Sequence, residues 1–263
     1  MPKSLYTPER LLKVLRQRLS LRKPQSDALL IMKDVVENHL DLSKKSDVAA
    51  QLEIIAEAYP QVTDFERAFP SLCFALATGV GKTRLMGAFI VYLYLMDKSL
   101  HFMVIAPNTT IYQKLITDFT PGTAKYVFQG VSEFVQNQPV IITGDDWEKG
   151  EGVTASENTT QPIIHIFNIQ KIHLEDGKIR SIRETIGESY FDFLSGLPDL
   201  VVLMDEAHRY RAKAGMEAID DLKPVLGLEV TATPKTTGSG AKAFKNVIYH
   251  YPLANALRDG FVK

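Results

Sequence analysis

Seven consecutive residues, Ala77-Thr78-Gly79-Val80-Gly81-Lys82-Thr83, place two glycines, a lysine and a hydroxyl in the order that holding a phosphate chain requires. Glycines let backbone N–H groups turn inward around phosphate oxygens, and a helix starting at the lysine adds the positive end of its dipole. An apolar run at 72–76 precedes the string and a helical pattern follows from Arg84, the strand–loop–helix setting that a phosphate loop needs. Lys82 is then placed to reach the β- and γ-phosphates of a nucleoside triphosphate, and the Thr83 hydroxyl to ligate Mg²⁺. Thr78, Gly79, Val80, Gly81 and Arg84 complete the candidate nucleotide-binding string. Leu76 stands where such a loop usually opens with glycine or alanine, so this is the Gly-x-Gly-Lys-Thr core without its first residue.

The second constellation is Asp205-Glu206-Ala207-His208, at the end of an apolar run at 200–204. A buried strand that delivers two adjacent carboxylates suits phosphate-anhydride hydrolysis. Asp205 can hold Mg²⁺, directly or through water, and Glu206 can orient and deprotonate the attacking water. A strand ending in two acids is by itself commonly a solvated exit. Open parallel sheets, however, bind ligands at the C-terminal ends of their strands, where this pair and the phosphate loop can converge. Lys82, Asp205, Glu206 and His208 are therefore the candidate catalytic set, with Thr83 and Asp205 as candidate metal ligands. His101, His165, His173 and His250 lack ligand-like spacing and read as structural.

These residues need elements to carry them. Leu11, Leu12, Val14, Leu15 and Leu19 build one apolar helical face, a second helix can begin at Pro24, and a third holds Val48, Leu52, Ile54, Ile55 and Ala58. From about residue 70 the texture changes to short apolar runs at 72–76, 102–106, 140–143, 163–167, 200–204 and 228–231, most followed by a loop and a helical segment. That alternation predicts an α/β domain whose mainly parallel sheet lies between helices, preceded by an N-terminal helical extension. The polar stretch 144–161 and the segment 235–245, with Gly238-Ser239-Gly240, read as loops. Asp145, Asp146 and Glu148 in the first of them read as a solvated acidic turn, not a nuclease centre. No internal repeat and no low-complexity run interrupts the chain.

The chain has 263 residues, 45% hydrophobic and 23% charged, which supports a substantial core and excludes wholesale disorder. Its formal net charge is -1, so contact with a polyanion has to come from local basic surface. Arg10, Lys13, Arg16, Arg18, Arg22 and Lys23 bias the N-terminal region, and Arg209, Arg211 and Lys213 follow the acidic pair. Either group can meet phosphates, although basic helix faces are usually only solvated. Cys73 is the single cysteine, which excludes an internal disulfide and a cysteine-based zinc site. The apolar run at 86–96 is far shorter than the roughly 20 residues that cross a bilayer, and Met1-Pro2-Lys3-Ser4 leads into charged sequence without a signal core. A cytoplasmic protein is expected.

The strings together resemble the superfamily-two helicases. Asp205-Glu206-Ala207-His208 is the motif that names the DEAH type, and Thr231-Ala232-Thr233-Pro234 resembles the Ser/Thr-Ala-Thr motif that links hydrolysis to nucleic-acid binding. Pro107-Asn108-Thr109, after the run at 102–106, looks like the turn that touches the nucleic-acid backbone, and a helix N-terminus there is a reasonable phosphate contact. Leu21-Arg22-Lys23-Pro24-Gln25 resembles the glutamine motif that reads adenine, for which Gln25 can give and accept one hydrogen bond each. Within the superfamily, Ala77–Thr83, Asp205-Glu206-Ala207-His208-Arg209-Tyr210, Leu228-Glu229-Val230-Thr231-Ala232-Thr233-Pro234 and the string from Tyr251 to Gly260 are similar to the restriction subunits of type III and type I restriction–modification systems.

The resemblance implies a RecA-like P-loop motor domain that uses ATP and Mg²⁺. It implies a helical extension with the glutamine motif over 1–60, the ATP-binding domain over 61–250, and the start of a connection over 251–263. Such motors hold ATP between two RecA-like domains, the second supplying arginines to the γ-phosphate. No second domain is present here, so slow hydrolysis is expected of this chain alone. Double-stranded DNA is the expected track, with a second RecA-like domain or a methyltransferase or specificity subunit as protein partner. An RNA helicase motor and a non-catalytic ATP-sensing or partner-binding module are the alternatives. Intact Lys82, Thr83, Asp205 and Glu206 speak against the latter.

Overall fold

The structure, a computed structural model, describes residues 5–44, 46–145, 160–173, 189–211, 213–236 and 242–262. Seven strands form one sheet: β1 (Ser71–Leu76), β2 (His101–Ala106), β3 (Val140–Thr143), β4 (Ile163–Asn168), β5 (Val201–Asp205), β6 (Leu226–Thr231) and β7 (Val247–Tyr251). Their spatial order is β3-β4-β2-β5-β6-β1-β7, and every pairing between them is parallel. The expected α/β architecture is therefore present, and the sheet is wholly parallel where a mainly parallel one was expected. The six apolar runs became β1 to β6. β7 is an addition at the edge, where half-buried and exposed residues interrupt the apolar run.

Alternate residues along the inner strands face opposite cores. Leu72, Phe74, Phe102, Val104, Leu203 and Leu228 belong to the larger one. Its helical cover comes from α1 (Pro8–Arg18), α2 (Lys23–Asn38), α4 (Lys82–Leu95) and α5 (Thr109–Phe119), while α3 (Val48–Ala58) adds Ile55. The N-terminal helices are thus packed into the same core as the sheet. Helix α4 is buried from Leu85 to Leu93, which explains an apolar run with no polar face. No helix among the described residues is long and apolar enough to cross a membrane. Short helices α6 (Ser132–Gln136), α7 (Ile169–His173), α8 (Tyr190–Gly196), α9 (Lys213–Asp220) and α10 (Leu253–Arg258) complete the cover. Met103, Ile105, Val202 and Met204 face the second core, with Tyr190, Leu194 and Ile219.

Beneath β1 and β6 the second face is polar. Ser71 and Glu229 point there, and Glu229 is fully buried. Glu229 Oε1 accepts from the Ser71 hydroxyl at 3.0 Å and from Arg67 Nε at 3.3 Å. Its Oε2 accepts from Arg211 Nη2, whose guanidinium also bonds Glu66 at 2.8 Å and Asn246 at 3.2 Å and lies 3.9 Å from the Phe244 ring centroid. Arg211 is thus an internal clamp, which corrects its reading as a phosphate contact. Removing one partner of a buried ion cluster strands the opposite charge. Glu229→Ala should destabilise the protein by about 3–5 kcal/mol in urea unfolding; a change below about 1 kcal/mol, the scale of a surface pair, would show that the cluster contributes little.

Candidate nucleotide-binding site

The order β2-β5-β6-β1 sets the loops of the site side by side along the C-terminal edge of the sheet. Asn108 follows β2, Asp205 ends β5, Thr231 ends β6, and the phosphate loop leaves β1. Each sequence-predicted string therefore arrives at one edge, although the chain separates them by more than a hundred residues at the extremes.

The loop backbone needs its glycines. Gly79 and Gly81 have φ values of 83° and 99°, and Gly81 is the residue from which α4 starts. The φ at position 81 favours glycine whatever the space, and a Cβ there would lie 2.6 Å from Gln25 Nε2 and displace that amide. Gln25 is buried at the start of α2. Its Oε1 accepts the Arg22 N–H at 2.7 Å, and its Nε2 donates to the Gly81 carbonyl at 2.8 Å. The amide expected to read adenine thus also holds the loop. Arg22 Nη1 donates to the Gly79 carbonyl at 2.8 Å, a brace that no spacing in the sequence announces.

Lys82 Nζ lies 2.9 Å from Glu206 Oε1, so the phosphate-loop lysine meets the candidate water-activating carboxylate across the end of β6. Glu206 takes a left-handed φ of 51°, a conformation that costs a non-glycine residue roughly 1–2 kcal/mol. Held strain of this kind gathers at functional sites. The turn continues as a 3-10 helix over Ala207–Tyr210, where the buried Tyr210 hydroxyl reaches the carbonyls of Asp205 at 2.6 Å and Ile105 at 2.9 Å. That contact ties the ends of β2 and β5 together. His208 Nδ1 and the Thr231 hydroxyl share a hydrogen bond of 2.9 Å, and the same hydroxyl accepts the Thr233 N–H at 3.1 Å. The Asp-Glu-Ala-His and Thr-Ala-Thr strings are in direct contact.

Burial pushes the Asp205 carboxyl up to about 6, with the neighbouring Glu206 charge adding to the rise and Lys82 opposing it. Burial lowers His208, against the pull of Glu206, which favours a neutral imidazole. An anion held out of water beside a second anion is a site that a cation stabilises. Hydroxyl and carboxylate oxygens are the donors that Mg²⁺ takes. Among the described residues no group of three His, Cys, Asp or Glu could hold a metal ion alone. Thr83 and Asp205 carry oxygen donors of the kind Mg²⁺ takes when substrate phosphates and water complete its shell.

A cleft of about 310 Å³ over the start of α4 is lined by Arg22, Gln25, Thr83, Arg84, Lys114 and Lys125, among others. Lys114, which the sequence reading missed, donates from Nζ to Thr83 Oγ1 at 2.7 Å and to Asp118 Oδ2 at 2.8 Å. Pro107, Asn108 and Thr109 stand apart from this cleft at the head of α5, where Asn108 caps the helix by accepting the Ile111 N–H at 2.9 Å. Arg18 is paired with Glu133 at 3.0 Å and Lys23 with Asp27 at 2.6 Å, so part of the N-terminal basic group is internally matched. Of the acidic trio, Asp145 accepts the Tyr112 hydroxyl at 3.0 Å; Asp146 and Glu148 lie outside the described residues. His101 bonds Asp199 at 2.6 Å and His165 the Tyr190 hydroxyl at 2.8 Å, the structural roles expected of them.

The model of the family described as "Type III restriction enzyme, res subunit" matches residues 18–236. No curated protein matches the chain. Among solved structures, the ATP-dependent Type ISP restriction-modification enzyme LlaBIII bound to DNA is similar with a TM-score of 0.52 at 15% identity, over 91% of this chain and 16% of that one. A nuclease-deletion mutant of the Type ISP enzyme LlaGI in complex with a DNA substrate mimic gives 0.47 at 14% identity, over 74% and 19%. The Sulfolobus solfataricus SWI2/SNF2 ATPase core in complex with dsDNA gives 0.36 at 15%, over 75% and 34%. The chain spans less than a fifth of either restriction enzyme's length. The LlaBIII likeness supports the fold; what the site does rests on its own geometry.

The raised Asp205 pKa has a stability consequence with a definite sign. Its folded value lies above the unfolded one, so the stability of the protonated form is complete below about pH 4 and is lost as pH rises through about 6. Asp205→Asn, neutral throughout, should be more stable than wild type by up to about 3 kcal/mol at pH 7, with the gap closing near pH 4. Urea unfolding at a series of pH values measures it; a gap that does not vary with pH would refute the burial-driven shift.

Proposed function

The chain belongs to the family of type III restriction enzyme res subunits and carries its helicase-type motor domain, and from that premise we propose that the site binds and hydrolyses ATP with Mg²⁺ to drive movement on double-stranded DNA. One observation carries the proposal: the Lys82–Glu206 contact of 2.9 Å, which joins a phosphate-binding group to a proton acceptor across the sheet edge. The glycine-bearing loop wraps the phosphates with backbone N–H groups, and Lys82 turns from Glu206 to the β- and γ-phosphates. Freed of its lysine, Glu206 takes the proton of the attacking water. When bound, Mg²⁺ neutralises charge on the phosphate oxygens, and Thr83 and Asp205 are the residues that would hold it.

The His208–Thr231 bond supports a further assignment, with Thr231, Ala232 and Thr233 linking hydrolysis to nucleic acid. A change at Glu206 reaches His208, two residues along the chain and 3.5 Å away in space, and from there the Thr-Ala-Thr turn. The Pro107-Asn108-Thr109 turn at the same edge is the proposed backbone-phosphate contact. Contacts of that kind give affinity without sequence reading. A second RecA-like domain would complete the γ-phosphate environment with arginine, worth roughly 10³–10⁵ in rate in related NTPases.

Calorimetry with ATP and Mg²⁺ tests the assignment. Wild type should bind saturably, Lys82→Ala should lose at least about tenfold in affinity, a loss of 1.4 kcal/mol, and Glu206→Gln should bind like wild type. In a chain joined to its second motor domain, Glu206→Gln should lower hydrolysis by about 10²–10⁴. Equal binding by wild type and Lys82→Ala would remove the phosphate site, and unimpaired hydrolysis by Glu206→Gln would remove the base.

A further inference from the structure

Lys114 belongs to none of the strings that identify the site, yet its ammonium touches one of the site's central atoms. It lies on α5, six residues beyond the Asn108 cap, and bonds the Thr83 hydroxyl at 2.7 Å while also holding Asp118 at 2.8 Å. A pair such as Lys114–Asp118, spaced by four residues on one helix, is by itself ordinary. The Thr83 contact is different, because it crosses from α5 to the first turn of α4 and falls on the oxygen assigned to the metal.

A threonine hydroxyl has one proton and two lone pairs. Lys114 donates into a lone pair, and a divalent cation would use a lone pair of the same oxygen. Two positive ions cannot both sit at contact distance from one neutral hydroxyl without strong repulsion. Asp118 offers the lysine a second anchor on its own helix, and the Asp118 side chain is nearly buried, which keeps that anchor fixed. The Lys114 side chain is half exposed and has room to turn away. The Lys114 charge is also felt at Asp205, the other assigned metal ligand.

Resting on the proposed role of Thr83, we propose that Lys114 is a positioning residue that competes with Mg²⁺ for the Thr83 hydroxyl and withdraws onto Asp118 when the ion binds. Lys114 thereby sets how much Mg²⁺ the nucleotide site requires. It also makes α5, whose head carries the proposed nucleic-acid turn, sensitive to occupancy of the metal position.

The test measures ADP affinity by calorimetry over a series of Mg²⁺ concentrations and reads the concentration that gives half the metal-dependent gain. Lys114→Met, a change at a half-exposed helix position, should lower that midpoint about five- to tenfold, as expected when a competing like charge leaves the ligand. Asp118→Asn, which removes the alternative anchor, should raise it. An unchanged or higher midpoint in Lys114→Met would overturn the proposal, as would a wild-type ADP affinity that ignores Mg²⁺. Lys82→Ala run alongside separates the two levels of the argument. If Lys82→Ala loses ADP while Lys114→Met keeps the wild-type midpoint, the nucleotide site stands and only the role of Lys114 falls. If Lys82→Ala binds like wild type, the nucleotide site itself fails and the proposal with it.

Discussion

Every strand of the sheet runs in the same direction, and the function proposed for this chain depends on that constraint. Parallel pairing forces each connection to cross back over a face of the sheet, so the C-terminal ends of all seven strands gather on one edge. The chain lays down β1 and β2 first with a gap between them and fills the gap later with β5 and β6. Filling brings Asp205 and Thr231 between the phosphate loop and the α5 turn. Strands buried on both faces tolerate the crowding because they are mostly apolar, and Phe74, Val104, Leu203 and Leu228 on one face are matched by Met103, Ile105 and Met204 on the other.

Charge is distributed unevenly over this frame. Below β6, Glu229 lies buried between Arg67 and Arg211, so the deepest anion is answered by two cations. At the edge, Asp205 and Glu206 share Lys82 as their nearest cation, burial raises the Asp205 pKa, and Glu206 holds a left-handed backbone. The answered cluster fixes the stems of the Thr-Ala-Thr turn through Glu229 and Asn246 and fixes the exit of the Asp-Glu-Ala-His turn through Arg211. The under-compensated pair above it is the part that a bound cation would stabilise. A rigid lower layer and a strained upper one are two halves of one arrangement, since strain persists only where the surroundings hold it.

The strands and the strings were legible because their signal is local. A continuous apolar run marks a strand buried on both faces, and glycines just before a Lys-Thr pair mark a loop that turns its N–H groups inward. What escaped the sequence was the pairing of distant residues. Arg211 looked like one more basic residue after the acidic pair; its role as a clamp depends on Glu66, Glu229 and Asn246, which only the strand order brings together. Lys114 was missed for the same reason, since its contact with Thr83 joins two different helices. Edge strand β7 buries only Ile248 and Tyr251, a weaker pattern than the inner strands give. Gln25 was found through its motif, but its bond to the Gly81 carbonyl could not be, because nothing in residues 21–25 says which loop they will meet.

The phosphate loop itself shows how far such dependence extends. Its left-handed glycines are conformations that the string permits and does not impose. Gln25 and Arg22 hold the carbonyls of Gly81 and Gly79 from the N-terminal side. From the other end of the chain, Val262 comes so close that a Cβ at position 79 would meet it at 3.2 Å, and the Arg22 guanidinium lies 5.2 Å from the Phe261 ring centroid. Residues before the first strand and after the last therefore converge on two peptide groups of one loop. Any motion of the Gly79 carbonyl on nucleotide binding has to break or re-form the Arg22 bond and shift the packing at Phe261 and Val262. The residues that follow α10 are thereby packed against the same loop that the N-terminal helices brace.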